Sequence, residues 1–226
     1  NVIGIGLAMP GVVDGNGLVK RSTLLGWRNV DVRTPIERRF SLPVTVNNDA
    51  TAAMFTERLF GKGGPNMMFV RLRRGIGGAV LLGDVPVFGE NHAGGEIGHI
   101  SLDPQGPPCA CGKRGCLERL VSATSLHARL QRSDERMRAS ILREAGTYLG
   151  TALSMPVGLL DLADVCVYGQ SDIVNDTLLS AAQAQLDLLT GSSFHTRTII
   201  RRCECEGEIT LRGEALSVLH DYLENR

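Results

Sequence analysis

Aromatic side chains are scarce in this 226-residue chain, at 4% with a single tryptophan, whereas glycine occurs 27 times. That balance favours tight turns and close backbone approaches over stacked rings. Excess charge of either sign is also missing, because 24 Lys and Arg offset 24 Asp and Glu. Net neutrality removes the bulk electrostatic attraction used by nucleic-acid and membrane-surface binders, so any DNA contact has to come from another segment. No apolar run reaches the roughly 20 residues that span a bilayer, and a soluble, cytoplasmic protein is the expectation. Repeats and low-complexity tracts are absent, and Asn1 opens no signal-peptide pattern, so nothing argues for an oxidising compartment. The length suffices for one large or two modest domains with a sizeable core.

What is present is concentrated between His99 and Glu118. One imidazole and three thiols, those of His99, Cys109, Cys111 and Cys116, fall within eighteen residues. Zinc takes thiolate sulfur and imidazole nitrogen in a tetrahedral set, and a shell closed by four protein ligands is structural rather than hydrolytic. Pro107 and Pro108 stiffen the approach, while Gly112 and Gly115 let the backbone wrap around one ion. The spacing is not that of a zinc finger, and reduced buried cysteines or a disulfide are the alternatives. Of the other thiols, Cys166 reads as a core strand residue. Cys203 and Cys205 flank Glu204 and read as strand or loop thiols, a second metal site being the lesser alternative.

The hydrophobic pattern predicts an α/β chain. Val2 to Ala8 reads as a buried strand entering a turn at Met9-Pro10-Gly11, Arg33 to Arg39 as helical, and Leu42 to Val46 as a strand ending at Asn47-Asn48-Asp49. A helix over Ala50 to Phe60 stops at Gly61. Met67 to Leu72 and Gly78 to Leu82 read as strands around a glycine turn. Leu117 to Leu130 is predicted helical, and Ala139 to Leu162 one or two helices broken near Met155-Pro156. A strand from Ala163 to Gly169, a helix from Asn175 to Leu189, a strand from His195 to Arg201 and a helix from Arg212 to Leu223 complete the pattern.

Asp49 sits where a strand gives way to a helix. Either it or Asn48 caps that helix, or its carboxylate at a strand's C-terminal end meets a ligand and accepts a proton from a sugar hydroxyl. Glu96 precedes His99 by three residues, so one turn presents both to a small polar molecule. If one nitrogen of His99 binds zinc, the other becomes a donor of fixed direction. Glu118 is held by the same loop, although salt bridging explains both glutamates. Gly75, Gly77 and Gly78, behind Arg73 and Arg74, suit either a phosphate cradle or a hairpin turn.

Gly94-Gly95-Glu96-Ile97-Gly98-His99, followed by Cys109-x-Cys111-Gly-x-x-Gly-Cys116-x-Glu118, resembles the signature of the ROK family of repressors, open reading frames and sugar kinases. The resemblance extends through Val2 to Gly11, Asn48-Asp49, the glycine hairpin, Asp161 to Gly169 and Arg212 to Ala215. It implies an α/β, actin-like or ribonuclease H-like, two-lobed sugar kinase fold with a structural zinc loop. The small-lobe remainder would be 1–47, the large lobe with the zinc loop and dimerisation helices 48–210, and a C-terminal helix returning to the small lobe 211–226. His99, Cys109, Cys111 and Cys116 match the family's zinc ligands. Asn48, Asp49, Glu96, His99 and Glu118 match its sugar contacts, with Asp49 in the place of the kinase base and Gly11 near the hexose-facing turn.

The chain departs from the kinases in two ways. It starts after the place of their Asp-x-Gly-Gly-Thr loop, and Arg73 and Arg74 stand where the second loop usually has Gly-Thr. Residues are expected to be absent at the front, and the stretch from Arg132 to Ala139 is short for the family. The first reading is the sugar-binding and dimerisation part of a transcriptional regulator, a dimer or tetramer that reads DNA through an upstream winged helix. The alternative is a hexose or N-acetylhexosamine kinase using Mg-ATP, with Asp49 as base.

Overall fold

The computed structural model describes residues 2–194 and 196–224. The chain opens with β1 (Ile5–Met9), then a small antiparallel meander of β2 (Val12–Val13), β3 (Leu18–Ser22) and β4 (Trp27–Asp31). The sequence pattern had not revealed these three short strands, of which β2 has two residues and β4 is exposed at most of its positions. Helix α1 (Arg33–Phe40) leads to β5 (Val44–Asn48), which pairs in parallel with β1, and α2 (Asp49–Phe60) follows directly. Val13, Val19, Val44 and Val46 form the small core between these elements.

The larger unit is a five-stranded sheet. Strands β6 (Met67–Leu72), β7 (Ile76–Leu82) and β8 (Val85–Pro86) run as an antiparallel ribbon, and β9 (Asp164–Gly169) and β10 (Ile199–Arg202) add in parallel, giving the order β10-β9-β6-β7-β8. Buried on both faces, β6 reads as a nearly continuous apolar run rather than an alternation. Met68, Val70 and Leu72 enter one core, while Met67 and Phe69 enter a second core under α2. Helices α3 (Leu117–Val121), α4 (Ala123–Leu130), α5 (Glu135–Leu160) and α6 (Asp176–Thr190) cover the first face. Helix α7 (Ile209–Glu224) packs on α2, where a side chain at Gly213 would stand 1.7 Å from the Ala52 carbonyl oxygen.

Several boundaries differ from the sequence reading. Helix α5 runs unbroken through Pro156, because Ala152, Leu153 and Val157 are buried on both sides of the proline and hold the helix to the core. The helix expected over Leu117 to Leu130 is two helices. Ser122 turns out of helical geometry between them, its hydroxyl caps α4 at Ser125, and the Ala123 N–H goes to the Arg73 carbonyl. Ile76, Gly77 and Gly78 belong to β7, so the turn itself is Arg73–Gly75. His195 lies outside the described residues, and the strand predicted there starts at Ile199.

Helix α2 begins where a single amide side chain makes it begin. Asn48 Oδ1 accepts from the N–H groups of Ala50 at 2.8 Å and Thr51 at 3.2 Å, satisfying donors that a helix start leaves orphaned. Its Nδ2 donates to the Gly11 carbonyl at 2.9 Å. Beside the same end of β5, Glu214 on α7 is buried with its Oε2 accepting from Asn47 at 3.3 Å and its Oε1 unpartnered. Burial pushes its carboxyl up to about 8.

Asn48→Ala removes the cap and frees Gly11, so urea unfolding should show a loss of about 1–2 kcal/mol. Glu214 keeps its proton in the folded state to about pH 8 but releases it near the ordinary carboxyl value of 4.5 when unfolded. The folded state therefore holds the extra proton, and stability falls as pH rises through that window. Glu214→Gln, which mimics the protonated carboxyl, should raise the melting temperature above pH 8 and flatten the decline.

Candidate functional site

The loop from His99 to Cys116 is folded by its own backbone. A short 3-10 turn over Ile97–His99 presents the imidazole. Bridges pair Ser101 with Cys116 and Pro108 with Arg114, while the Cys109 N–H donates to the Lys113 carbonyl at 2.8 Å. The result brings His99, Cys109, Cys111 and Cys116 together, with their ligand atoms all within 4.8 Å of one another. His99 Nδ1 and Cys109 Sγ are 3.6 Å apart, as are Cys111 Sγ and Cys116 Sγ. A tetrahedron with zinc–sulfur bonds of about 2.3 Å has edges of about 3.8 Å, so the donor set and its spacing fit that ion. Burial, with Cys111 and Cys109 adjacent, pushes the Cys116 thiol up to about 12.

His99 Nε2 points the other way, 3.7 Å from Glu96 Oε2. Thus Nδ1 faces the thiols and Nε2 faces a carboxylate. Burial raises the Glu96 carboxyl, His99 opposes the shift, and the charges of Asp49 and Glu118 add to it. These three acids therefore share one electrostatic neighbourhood. Asp49 is raised by burial against the pull of Arg71, whose Nη1 lies 3.1 Å from Asp49 Oδ2. Glu118, in the first turn of α3, accepts from the Ile76 N–H at 3.2 Å.

The glycines of the β6–β7 hairpin serve close packing. A side chain at Gly75 would stand 2.6 Å from Glu118 Oε2, and one at Gly78 would stand 2.8 Å from the Gly95 carbonyl oxygen. Several of the turn's donors are already engaged: the Arg73 N–H goes to the Gly75 carbonyl, Ile76 to Glu118 and Gly78 to the Gly95 carbonyl. Gly77 lies under the start of α2, where an added Cβ would be 4.0 Å from Asp49 Oδ1. Gly11, with φ +106°, joins this region through Asn48.

Arg71 is the site residue that the sequence reading missed. Its signal was a lone cation inside the apolar run Met67–Leu72, which in a strand buried on both faces requires a partner. That partner is Asp49, and among the described residues Arg71 Nε is buried without a hydrogen bond. Farther along the hairpin, Arg73 lies 5.5 Å from the Tyr168 ring centroid.

Known proteins resemble this chain in sequence and in fold. The "Xylose repressor" of Bacillus subtilis (strain 168) is 33% identical over 60% of this chain and 36% of the repressor. The "Glucokinase" of Halalkalibacterium halodurans is 39% identical over 56% of this chain and 39% of that enzyme. The chain thus matches less than half the length of either relative. The structure of a ROK family glucokinase from Streptomyces griseus in complex with glucose and AMPPNP superposes with a TM-score of 0.85 at 23% identity, covering 97% of this chain and 82% of that one. The α/β fold is therefore that of the actin-like ROK sugar kinases. The model of the ROK family matches residues 1–153, two thirds of the sequence and all of the loop that carries the four candidate ligands, and the chain belongs to that family.

Proposed function

We propose that this chain is the sugar-binding effector and dimerisation part of a ROK transcriptional regulator. The observation that carries the reading is the Arg71–Asp49 ion pair. Phosphoryl transfer to a sugar needs a carboxylate free to align and deprotonate the acceptor hydroxyl. Here one oxygen of that carboxylate is shared with a guanidinium at 3.1 Å. The hairpin agrees, because the Ile76 N–H is taken by Glu118 and the Gly78 N–H by the Gly95 carbonyl, which leaves fewer donors to cradle a phosphate.

In this proposal Asn48, Asp49, Glu96, His99 and Glu118 bind sugar hydroxyls, and Gly11 supplies the turn that faces the hexose. Zinc held by His99, Cys109, Cys111 and Cys116 would supply a cross-link that fixes the ring of His99. Segment 1–47 would be the remainder of the small lobe and 48–210 the large lobe, with 211–226 a C-terminal helix returning toward the small one. Sugar closing the cleft changes how two copies, as a dimer or a tetramer, hold their DNA-reading parts. With zero net charge, those parts belong to another segment. The relative named "Xylose repressor" supports the class.

A kinase is the second reading. The relative named "Glucokinase" favours it, as does the position of Asp49 at the C-terminal end of β5. It would use Mg-ATP, with Asp49 as base and Gly75, Gly77 and Gly78 near phosphate.

The full-length protein, assayed for ATP turnover with hexoses, N-acetylhexosamines and pentoses, should show sugar-dependent thermal shifts of several degrees without turnover. Sugar-dependent turnover that disappears in Asp49→Asn would overturn the regulator reading.

A further inference from the structure

Near the far end of α2 from Asp49 lies a second cluster of metal-binding side chains. Glu57 is completely buried, yet its carboxyl is held at about 2. Burial opposes that charge, while hydrogen bonds from Cys203, Arg201 and the backbone outweigh it. Its Oε2 accepts from Cys203 Sγ at 3.0 Å and from the N–H groups of Glu204 and Cys205, each at 3.1 Å. Its Oε1 accepts from Arg201 at 2.5 Å, and Arg201 in turn makes two bonds of 2.8 Å to Asp164. Cys166, on β9, completes the group, and the ligand atoms of Glu57, Cys166 and Cys203 all lie within 4.8 Å of one another.

We propose that Cys166 Sγ, Cys203 Sγ and Glu57 Oε2 bind a thiophilic divalent cation of the zinc class, at a site separate from the His99 cluster. Two thiolates and a carboxylate are a donor set that zinc accepts. The carboxylate is already aimed by two backbone N–H groups and by Arg201, the kind of outer contact that fixes metal ligands. Charge also balances. Glu57, Asp164 and Arg201 sum to one negative charge while both thiols are protonated. An entering divalent ion displaces the two thiol protons to solvent and forms two metal–sulfur bonds, leaving the cluster's net charge unchanged, so burial penalises neither state more. A cavity of about 230 Å³, with Tyr168, Arg202, Cys203 and Cys205 on its wall, reaches the cluster at Cys203, while Glu57 and Cys166 lie fully buried behind it. Occupancy would tie α2 to β9 and to the segment that enters α7.

The test is a metal count. Full-length protein, reduced and stripped of metal, is titrated with Co²⁺ while thiolate charge-transfer absorption is followed, and with Zn²⁺ under native mass spectrometry. Two ions per chain are expected. Cys111→Ala should retain one of them, and Cys203→Ser or the volume-conserving Cys166→Val should also retain one. A single ion per chain that Cys111→Ala abolishes and Cys166→Val leaves in place overturns the proposal. The wild-type count decides the matter even where a variant fails to fold.

Discussion

His99 has two ring nitrogens, and the site depends on both being committed. Nδ1 stands 3.6 Å from Cys109 Sγ and Nε2 stands 3.7 Å from Glu96 Oε2. A histidine free to rotate samples several directions, whereas one tied at one nitrogen offers the other along a single line. The thiol cluster therefore reaches beyond its own loop. It sets where Glu96 finds its partner, and the charges of Asp49 and Glu118 act on that same carboxyl.

The facing wall is fixed by Asn48. One amide caps α2 and holds the Gly11 carbonyl, so the end of β5, the turn after β1 and the helix start move as a unit. Asp49 inherits its position from that cap. Arg71 supplies the positive charge beneath, and without it Asp49, Glu96 and Glu118 would crowd three carboxylates into a partly buried space. Uncompensated buried charge is costly, and the ion pair lowers that cost for one of the three.

Much of this was legible in the residues. Asn48 and Asp49 sit after an apolar strand and before an amphipathic run, which places them at a strand–helix junction whatever the fold. Cysteine and histidine spacing gave the cluster, because ligand chemistry demands proximity that intervening glycines and prolines permit. Arg71 escaped notice because its partner lies in another element, and pairing across elements leaves no local pattern. Glu57 escaped for the same reason: besides the nearby Lys62 N–H, its donors are at Arg201, Cys203, Glu204 and Cys205. Pro156 misled because proline ordinarily interrupts a helix, and only the buried Ala152, Leu153 and Val157 around it reveal why α5 continues. The meander of β2, β3 and β4 was hidden because β2 has two residues and β4 is exposed at most of its positions.

The central claim is that the thiol cluster organises a sugar site through His99. Calorimetric titration of the full-length protein with D-glucose and D-xylose, before and after zinc chelation, tests it most directly. The account predicts that one of these sugars binds, that chelation weakens binding at least tenfold, and that added zinc restores it. Sugar affinity that is the same with and without the metal would contradict it.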